Sequence, residues 1–406
     1  MTDDEPDVLV VGAGSSGAVL ASRLSEDPDR RVLLVDEGPD HGPAEYPERV
    51  LDPATLPSPS QDRTWTRWLE VGLHGDRGTV VPRGRMVGGS SAVNGTYFVR
   101  ATSDDFAGWS RHGGTDWGFA GVLPVFRRLE SDRDLPHAAW HGATGPIPVA
   151  RASTGHYHPV TRGFLDAAAA QGHALAQDLN EPGERGAGPV PCNVADGRRV
   201  NVAMAYLDPC RERGNLTVRG GVRVRRVVIE GGRAIGVEVD AGRTSRVLRA
   251  GEVVLSAGAV ATAQLLMLSG IGPAEELLLH DIDVVVDAPG VGRLFDHPAL
   301  DLHFHAPDLP PAPPGPAFQA ALHLGSGVTG ADHDDVELLA MVRPYGVADG
   351  SDPSDTARSL RVGIQRTARP GRVRLESAAP HAPPVVDLGY LAADEDVARA
   401  RHAVRA

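Results

Sequence analysis

Short, uninterrupted apolar runs punctuated by glycine-rich turns dominate the start of the chain. Residues 7–11 (DVLVV) predict a strand, 12–17 (GAGSSG) a tight turn and 18–24 a helix of small side chains. Residues 32–35 (VLLV) predict a second strand that ends at Asp36. Apolar runs without polar alternation suit strands covered on both faces, as in a parallel sheet. Similar runs at 216–218, 223–229 and 234–239 predict further strands, with Gly231-Gly232 as the turn between the last two. Residues 252–258 (EVVLSAG) predict a buried strand leading into an apolar helix over 259–272. Alternating patterns at 336–342 and 360–366 predict strands of a second sheet.

Helical spacing predicts two helices in 104–130 around a Gly-Gly/Trp turn. Val122, Phe126 and Leu129 share one face, and Trp109, Trp117 and Phe119 read as core. Further helices are predicted at 164–176, 201–213 and 394–404. Residues 38–80 read as a long irregular stretch and 307–316 (PDLPPAPPGP) as an extended loop.

Strand, Gly-rich turn, helix, strand and terminal acid together form a dinucleotide-binding fingerprint. Gly12 permits the turn out of the strand. Gly14, lacking Cβ, lets a diphosphate approach the backbone, and Gly17 lets helix and strand pack closely. Ser15 and Ser16 lie at the helix N-terminus, where free N–H groups and partial positive charge favour phosphate. Asp36 suits the ribose hydroxyls, with Glu37 the neighbouring alternative; either acid disfavours a 2′-phosphate. The fingerprint leaves NAD and FAD both open.

The 406 residues suffice for two domains, and the net charge of −13 argues against a nucleic-acid partner. All 40 basic residues are arginine, which excludes a P-loop lysine or a lysine Schiff base. Two cysteines, Cys192 and Cys210, make no disulfide framework and point to a reducing cytoplasm. The acidic N-terminus does not read as a signal peptide, and no apolar run is long enough to span a membrane. A cytoplasmic protein is expected, with peripheral membrane contact left open. His156/His158 (HYH) and His303/His305 (HFH) have the alternation of metal ligands on a strand, but no carboxylate pattern completes either site, so no metal is expected.

Residues 84–100 (GRMVGGSSAVNGTYFVR) set glycines, serines and Asn94 between short apolar pieces. The pattern suits either backbone laid against a flat ligand or a capped Gly-rich turn. With flanking residues through Ala107, it resembles the first signature of the glucose–methanol–choline (GMC) oxidoreductases, which bind FAD. The matching positions are Gly84, Arg85, Val87, Gly88, Gly89, Ser90, Ser91, Asn94, Phe98 and Ala101. The resemblance implies that Val87, Gly88, Asn94, Gly95, Thr96 and Tyr97 line the isoalloxazine ring and that Val224 meets adenine through its backbone. Val93 stands where some members carry a histidine bonded to the flavin, so non-covalent FAD is implied. Residues 259–272 resemble the second family signature, with Ala263 in place of the usual proline. Asp296 and His297 (VGRLFDHP) resemble a following Asp-His element and read as a structural polar pair.

The implied chemistry is hydride transfer from an alcohol carbon to flavin N5 while a base takes the hydroxyl proton. None of the 16 histidines marks itself as that base, and His402 reads as solvent-exposed. The family's catalytic histidine lies in a segment beyond the pattern that ends this chain, so truncation is expected. The implied fold is α/β: a Rossmann-like FAD-binding domain from 1–150 and 191–298, with a mainly antiparallel α+β substrate domain from 151–190 and 299–388. Residues 389–406 are expected to begin a truncated C-terminal segment.

GPIPV, GPVPCN, the Ala263 variant and the shortened Asp-His element most resemble the mycofactocin-system subgroup. The expected donor is therefore a small alcohol or a reduced redox-peptide cofactor, with a quinone, respiratory carrier or oxygen as electron acceptor. The alternatives are an FAD-binding protein without turnover and an NAD-dependent dehydrogenase.

Overall fold

The computed structural model describes residues 5–57, 64–73, 75, 77–183, 185–328, 334–343 and 357–406. Its centre is a four-stranded parallel sheet in the order Leu216–Arg219, β2 (Val32–Val35), β1 (Val8–Val11), Glu252–Leu255. The apolar runs are explained by burial on both sides. Val8, Val10, Val32 and Leu34 pack towards helix α1 (Gly17–Leu24) and the 202–210 segment. Leu9, Val11, Leu33 and Val35 pack towards Val237, Val239 and Leu265. Those partners come from the antiparallel sheet Val224–Glu230, Arg233–Ala241, Thr244–Arg249 and from the helix Ala259–Leu268.

The second large sheet is antiparallel throughout, in the order Ala299–His305, Ala357–Ile364, Val336–Met341, Phe318–Leu324, Gly186–Pro189. On one face, Leu322, Leu324, Val336, Leu338 and Val362 form a core with Ala168 and Ala403, from the helices Pro159–Ala170 and Asp394–Arg405. The other face carries Ala321, Leu339 and Met341, packed with Phe318 and Cys192 and against the Tyr97 ring. A third, mixed sheet joins Arg293–Leu294, Gly371–Arg374 and Val385–Asp387 to Thr66–Gly72 and Gly78–Gly84. Residues 299–387 thus supply strands to two sheets.

Several expectations are corrected. The 38–80 stretch is not wholly irregular: it contains the helical turn Glu48–Leu51 and the strand Thr66–Gly72, and Gly78–Gly84 starts inside it, although 58–63, 74 and 76 lie outside the described residues. The helix expected over 164–176 runs instead over Pro159–Ala170, because Pro159 suits its first turn and His158 caps it by accepting the Val160 N–H. The 201–213 helix is only a wide turn, Ala203–Leu207, followed by a tight one, Asp208–Cys210, around Pro209. His156 and His158 do not alternate on a strand: His156 ends a short turn and His158 is that buried cap. His303 and His305 do lie on the strand Ala299–His305. Trp109 and Trp117 are not core. They are 57% and 51% exposed and pack on each other with ring centroids 5.8 Å apart. No helix among the described residues is long and apolar enough to cross a membrane.

Candidate cofactor groove and the polar clusters around it

A groove of about 710 Å³ runs along the carboxyl ends of the parallel strands. Gly12, Gly14, Ser15, Ser16, Asp36, Glu37 and Val224 all line it, as do Gly89 and Ser90 of the second glycine-rich segment. Crevices at this edge of a parallel sheet are where such folds bind nucleotides.

The glycines divide the work. Gly12 has φ +95°, and a Cβ there would press on Ser256 O at 2.6 Å. Gly17 lies away from the groove; a Cβ there would overlap Gly12 O, so helix and turn pack only through glycine. A Cβ at Gly14 would meet nothing nearer than Gly89 Cα at 3.7 Å, so the absent side chain leaves open space for a ligand. Helix α1 has no side-chain cap at Ser16, which keeps its N-terminal end open to phosphate.

Asp36 Oδ2 accepts the Ala13 N–H at 2.8 Å, and Oδ1 accepts the Gly38 N–H at 2.7 Å. The acid therefore braces the glycine turn as well as facing the groove. Burial raises its pKa to about 6, against the pull of those two N–H groups. Glu37 is engaged by Arg67 and lies 3.9 Å from Arg223, so it forms an arginine-held wall beside Asp36.

Residues 87–97 form a second turn docked on the first. The Gly88 N–H donates to Ala13 O at 2.8 Å with φ +107°, and Val87, buried, donates to Pro39 O. A Cβ on Gly89 would strike Gly14 Cα at 2.5 Å. Asn94 is exposed, and its side-chain oxygen accepts the Thr96 N–H at 3.0 Å. A Cβ at Gly95 would meet the Phe318 ring at 2.8 Å. Val87, Gly88, Asn94, Gly95, Thr96 and Tyr97 do not line the 710 Å³ groove; they flank Gly89 and Ser90, which do, and Tyr97 packs on Phe318 of the antiparallel sheet.

Sequence reasoning missed three polar clusters, because their partners follow no fixed spacing along the chain: Tyr97 and Glu337 are 240 residues apart, Arg199 and Val50 149, His141 and Glu130 only 11. In the first, the Tyr97 hydroxyl donates to Glu337 and lies 3.1 Å from His323 Nε2, which is 2.9 Å from the same carboxylate oxygen. His323 and Glu337 are directly paired across adjacent strands, and burial is overcome by these partners to hold Glu337 below its ordinary pKa. In the second, Arg199 lies beneath the 92–94 turn. In the third, Glu130, Asp132 and Asp178 enclose His141, with Arg100 and Arg151 closing the shell.

Glu130, Asp132 and His141 present ligand atoms within 4.8 Å of one another, a spacing a metal could use. The cations are already supplied, however: two guanidiniums and a protonated His141 balance three carboxylates. Burial lowers the His141 pKa, but hydrogen bonds to Asp178 and Glu130 and the charge of Asp132 overcome it and raise it to about 9. Asp296 accepts from the Tyr390 hydroxyl at 2.7 Å, and His297 bonds to it only through its backbone N–H. The expected Asp-His pair is thus an Asp-Tyr pair. His402 is exposed.

Groove, glycine turns and the acid at the end of β2 define the class: an α/β protein with a dinucleotide-binding crevice at the carboxyl edge of its parallel sheet. The GMC oxidoreductase family profile matches residues 6–299. A GMC-type oxidoreductase of Rhodococcus erythropolis, named as uncharacterized, is 39% identical over 412 residues, covering 99% of this chain and 79% of the relative. Human mitochondrial choline dehydrogenase is 36% identical, covering 97% of this chain and 71% of its own length. Among solved structures, pyridoxine 4-oxidase from Mesorbium loti superposes with a TM-score of 0.88 at 30% identity, covering 99% of this chain and 79% of that one. The chain belongs to the GMC oxidoreductase family, whose members are FAD flavoproteins.

Proposed function

We propose that this chain binds FAD non-covalently across the two glycine turns and oxidises an alcohol, passing the electrons to a separate acceptor. The observation that carries the reading is the side-chain-free floor at Gly14, bounded by Asp36 at one end and Gly89 at the other. Gly12, Gly14 and the N-terminal end of α1 hold the diphosphate, Asp36 takes the ribose and Val224 the adenine. The 87–97 turn lies along the ring. Val93 offers no group for a covalent bond to flavin. Bound FAD supplies a two-electron acceptor for hydride from an alcohol carbon. The chain's own residues orient the donor: Tyr97, His323 and Glu337 give the wall beyond Asn94 its polar groups.

Relatives named for choline and pyridoxine support a small hydroxyl-bearing donor, and the motif resemblance keeps a reduced redox-peptide carrier as a candidate. The test is spectroscopic. Purified chain titrated with FAD should develop bound-flavin absorbance near ~450 nm. Under anaerobic conditions that band should bleach with choline, pyridoxine or the reduced peptide. A chain that takes up no FAD refutes the reading; one that binds NAD instead replaces it.

A further inference from the structure

Arg199 is 1% exposed, yet no carboxylate pairs with it among the described residues. Its guanidinium is satisfied by four backbone carbonyls. One nitrogen donates to Val50 O at 2.7 Å and Ala92 O at 3.2 Å. The other donates to Thr55 O at 2.7 Å and Asn94 O at 2.8 Å. Nε has no partner at all. Two of the four carbonyls belong to the turn whose neighbours Gly89 and Ser90 line the groove. Burial pulls the guanidinium pKa down to about 10, with the charge of Asp52 opposing, so it stays charged at neutral pH.

An isolated buried cation is costly, and carbonyl dipoles only partly replace the water it loses. Cross-linking a loop does not require that charge. A positive charge fixed behind a ring that becomes negative has a use of its own, since charge near the flavin tunes how readily it accepts electrons.

We propose that Arg199 is a positioning residue with two effects: its fork fixes the 92–94 turn against the flavin ring, and its charge shifts the bound flavin towards its reduced form. Hydride uptake adds two electrons and one proton to the neutral ring, which gains one negative charge. A fixed cation behind the turn stabilises that product over the oxidised ring. The inference rests on the proposed seating of the ring along the 87–97 turn.

The test compares wild type, R199K and R199Q, each loaded with FAD, by FAD titration and by the midpoint potential of the bound flavin. Lysine keeps the charge but cannot reproduce the four-carbonyl fork, so R199K should lose FAD affinity by about tenfold and keep its potential at neutral pH. R199Q should lose affinity and also shift the reduction equilibrium at least about tenfold towards oxidised flavin, about 30 mV for a two-electron couple. Equal potentials in wild type and R199Q overturn the charge effect, because a purely structural role changes affinity alone. Should R199Q not fold, R199K still decides. Its amine has a lower ordinary pKa than the guanidinium and meets the same burial, so it gives up its charge first; between ~pH 7 and ~9 its potential should fall more steeply than that of wild type, and parallel slopes overturn the proposal. Failure of the wild-type chain to take up FAD refutes the proposed function instead and is read separately.

Discussion

The substitution His141→Gln takes one positive charge out of a closed cluster and leaves three carboxylates facing two arginines. His141 Nδ1 lies 2.6 Å from Glu130 Oε1 and Nε2 lies 2.8 Å from Asp178 Oδ2, both inside the protein. Arg151 spans Asp132 and Asp178, and Arg100 reaches Glu130. The imidazole carries its proton up to about 9 in the folded chain against 6.5 ordinarily. That difference is worth about 3 kcal/mol of stability. Because the folded pKa is the raised one, the contribution is complete below pH 6.5 and disappears as pH climbs through 9. About 2 kcal/mol of it should vanish between ~pH 6.5 and ~8.5.

The assay is urea denaturation at intervals across that window, comparing wild type with H141Q. Wild type should weaken steadily with pH. H141Q should start about 3 kcal/mol or more lower, since it leaves an uncompensated buried charge, and should then be nearly flat. Restricting the window to below pH 9 keeps Cys192, whose thiol burial pushes up to about 12, from contributing. If wild type and H141Q show the same slope, the proton is not held where the geometry places it and the reasoning fails. The cluster reaches the segment after the second glycine turn, because Arg100 donates to Trp140 O and Asn180 of the same region accepts the Arg100 N–H. The same rise in pH should therefore loosen the 97–100 segment that follows the 92–94 turn, read as faster amide exchange there.

Gly14→Val and Gly17→Val should fail in opposite ways. The first fills space that only a ligand uses, so FAD affinity should fall at least about a hundredfold while thermal unfolding changes little; the second drives a side chain into Gly12 O and should destabilise the fold itself. FAD affinity should fall as pH drops through about 6, where Asp36 gains a proton and can no longer accept from both its backbone partners and the ribose. D36N should show about 10- to 100-fold weaker binding without that pH dependence, as read by flavin fluorescence titration. Tyr97→Phe leaves the T-shaped contact with Phe318 but removes the hydroxyl from Glu337, so the donor's KM should change more than FAD affinity does.

Local order along the chain was legible wherever one residue type has one physical use. Gly12, Gly14, Gly17 and Asp36 mark the first turn: at Gly12 and Gly17 only glycine tolerates the close approach, at Gly14 the missing side chain leaves open space, and the acid at the end of β2 braces the turn through the Ala13 N–H. The apolar runs of β1 and β2 announced a sheet covered on both sides, which the two cores confirm. The same logic misled at Trp109 and Trp117. Hydrophobicity predicts burial on average, but their hairpin of helices lies at the surface. What only the tertiary structure decided is which distant side chains meet. Tyr97 and Glu337 are 240 residues apart, Arg199 and Val50 149 apart, and His141 and Asp178 37 apart. No periodicity carries that information, because charges and hydroxyls recur along any chain without a fixed partner. Their pairing is imposed by strand order, by the register that sets His323 opposite Glu337, and by burial, which turns ordinary ionisable groups into partners that must satisfy one another.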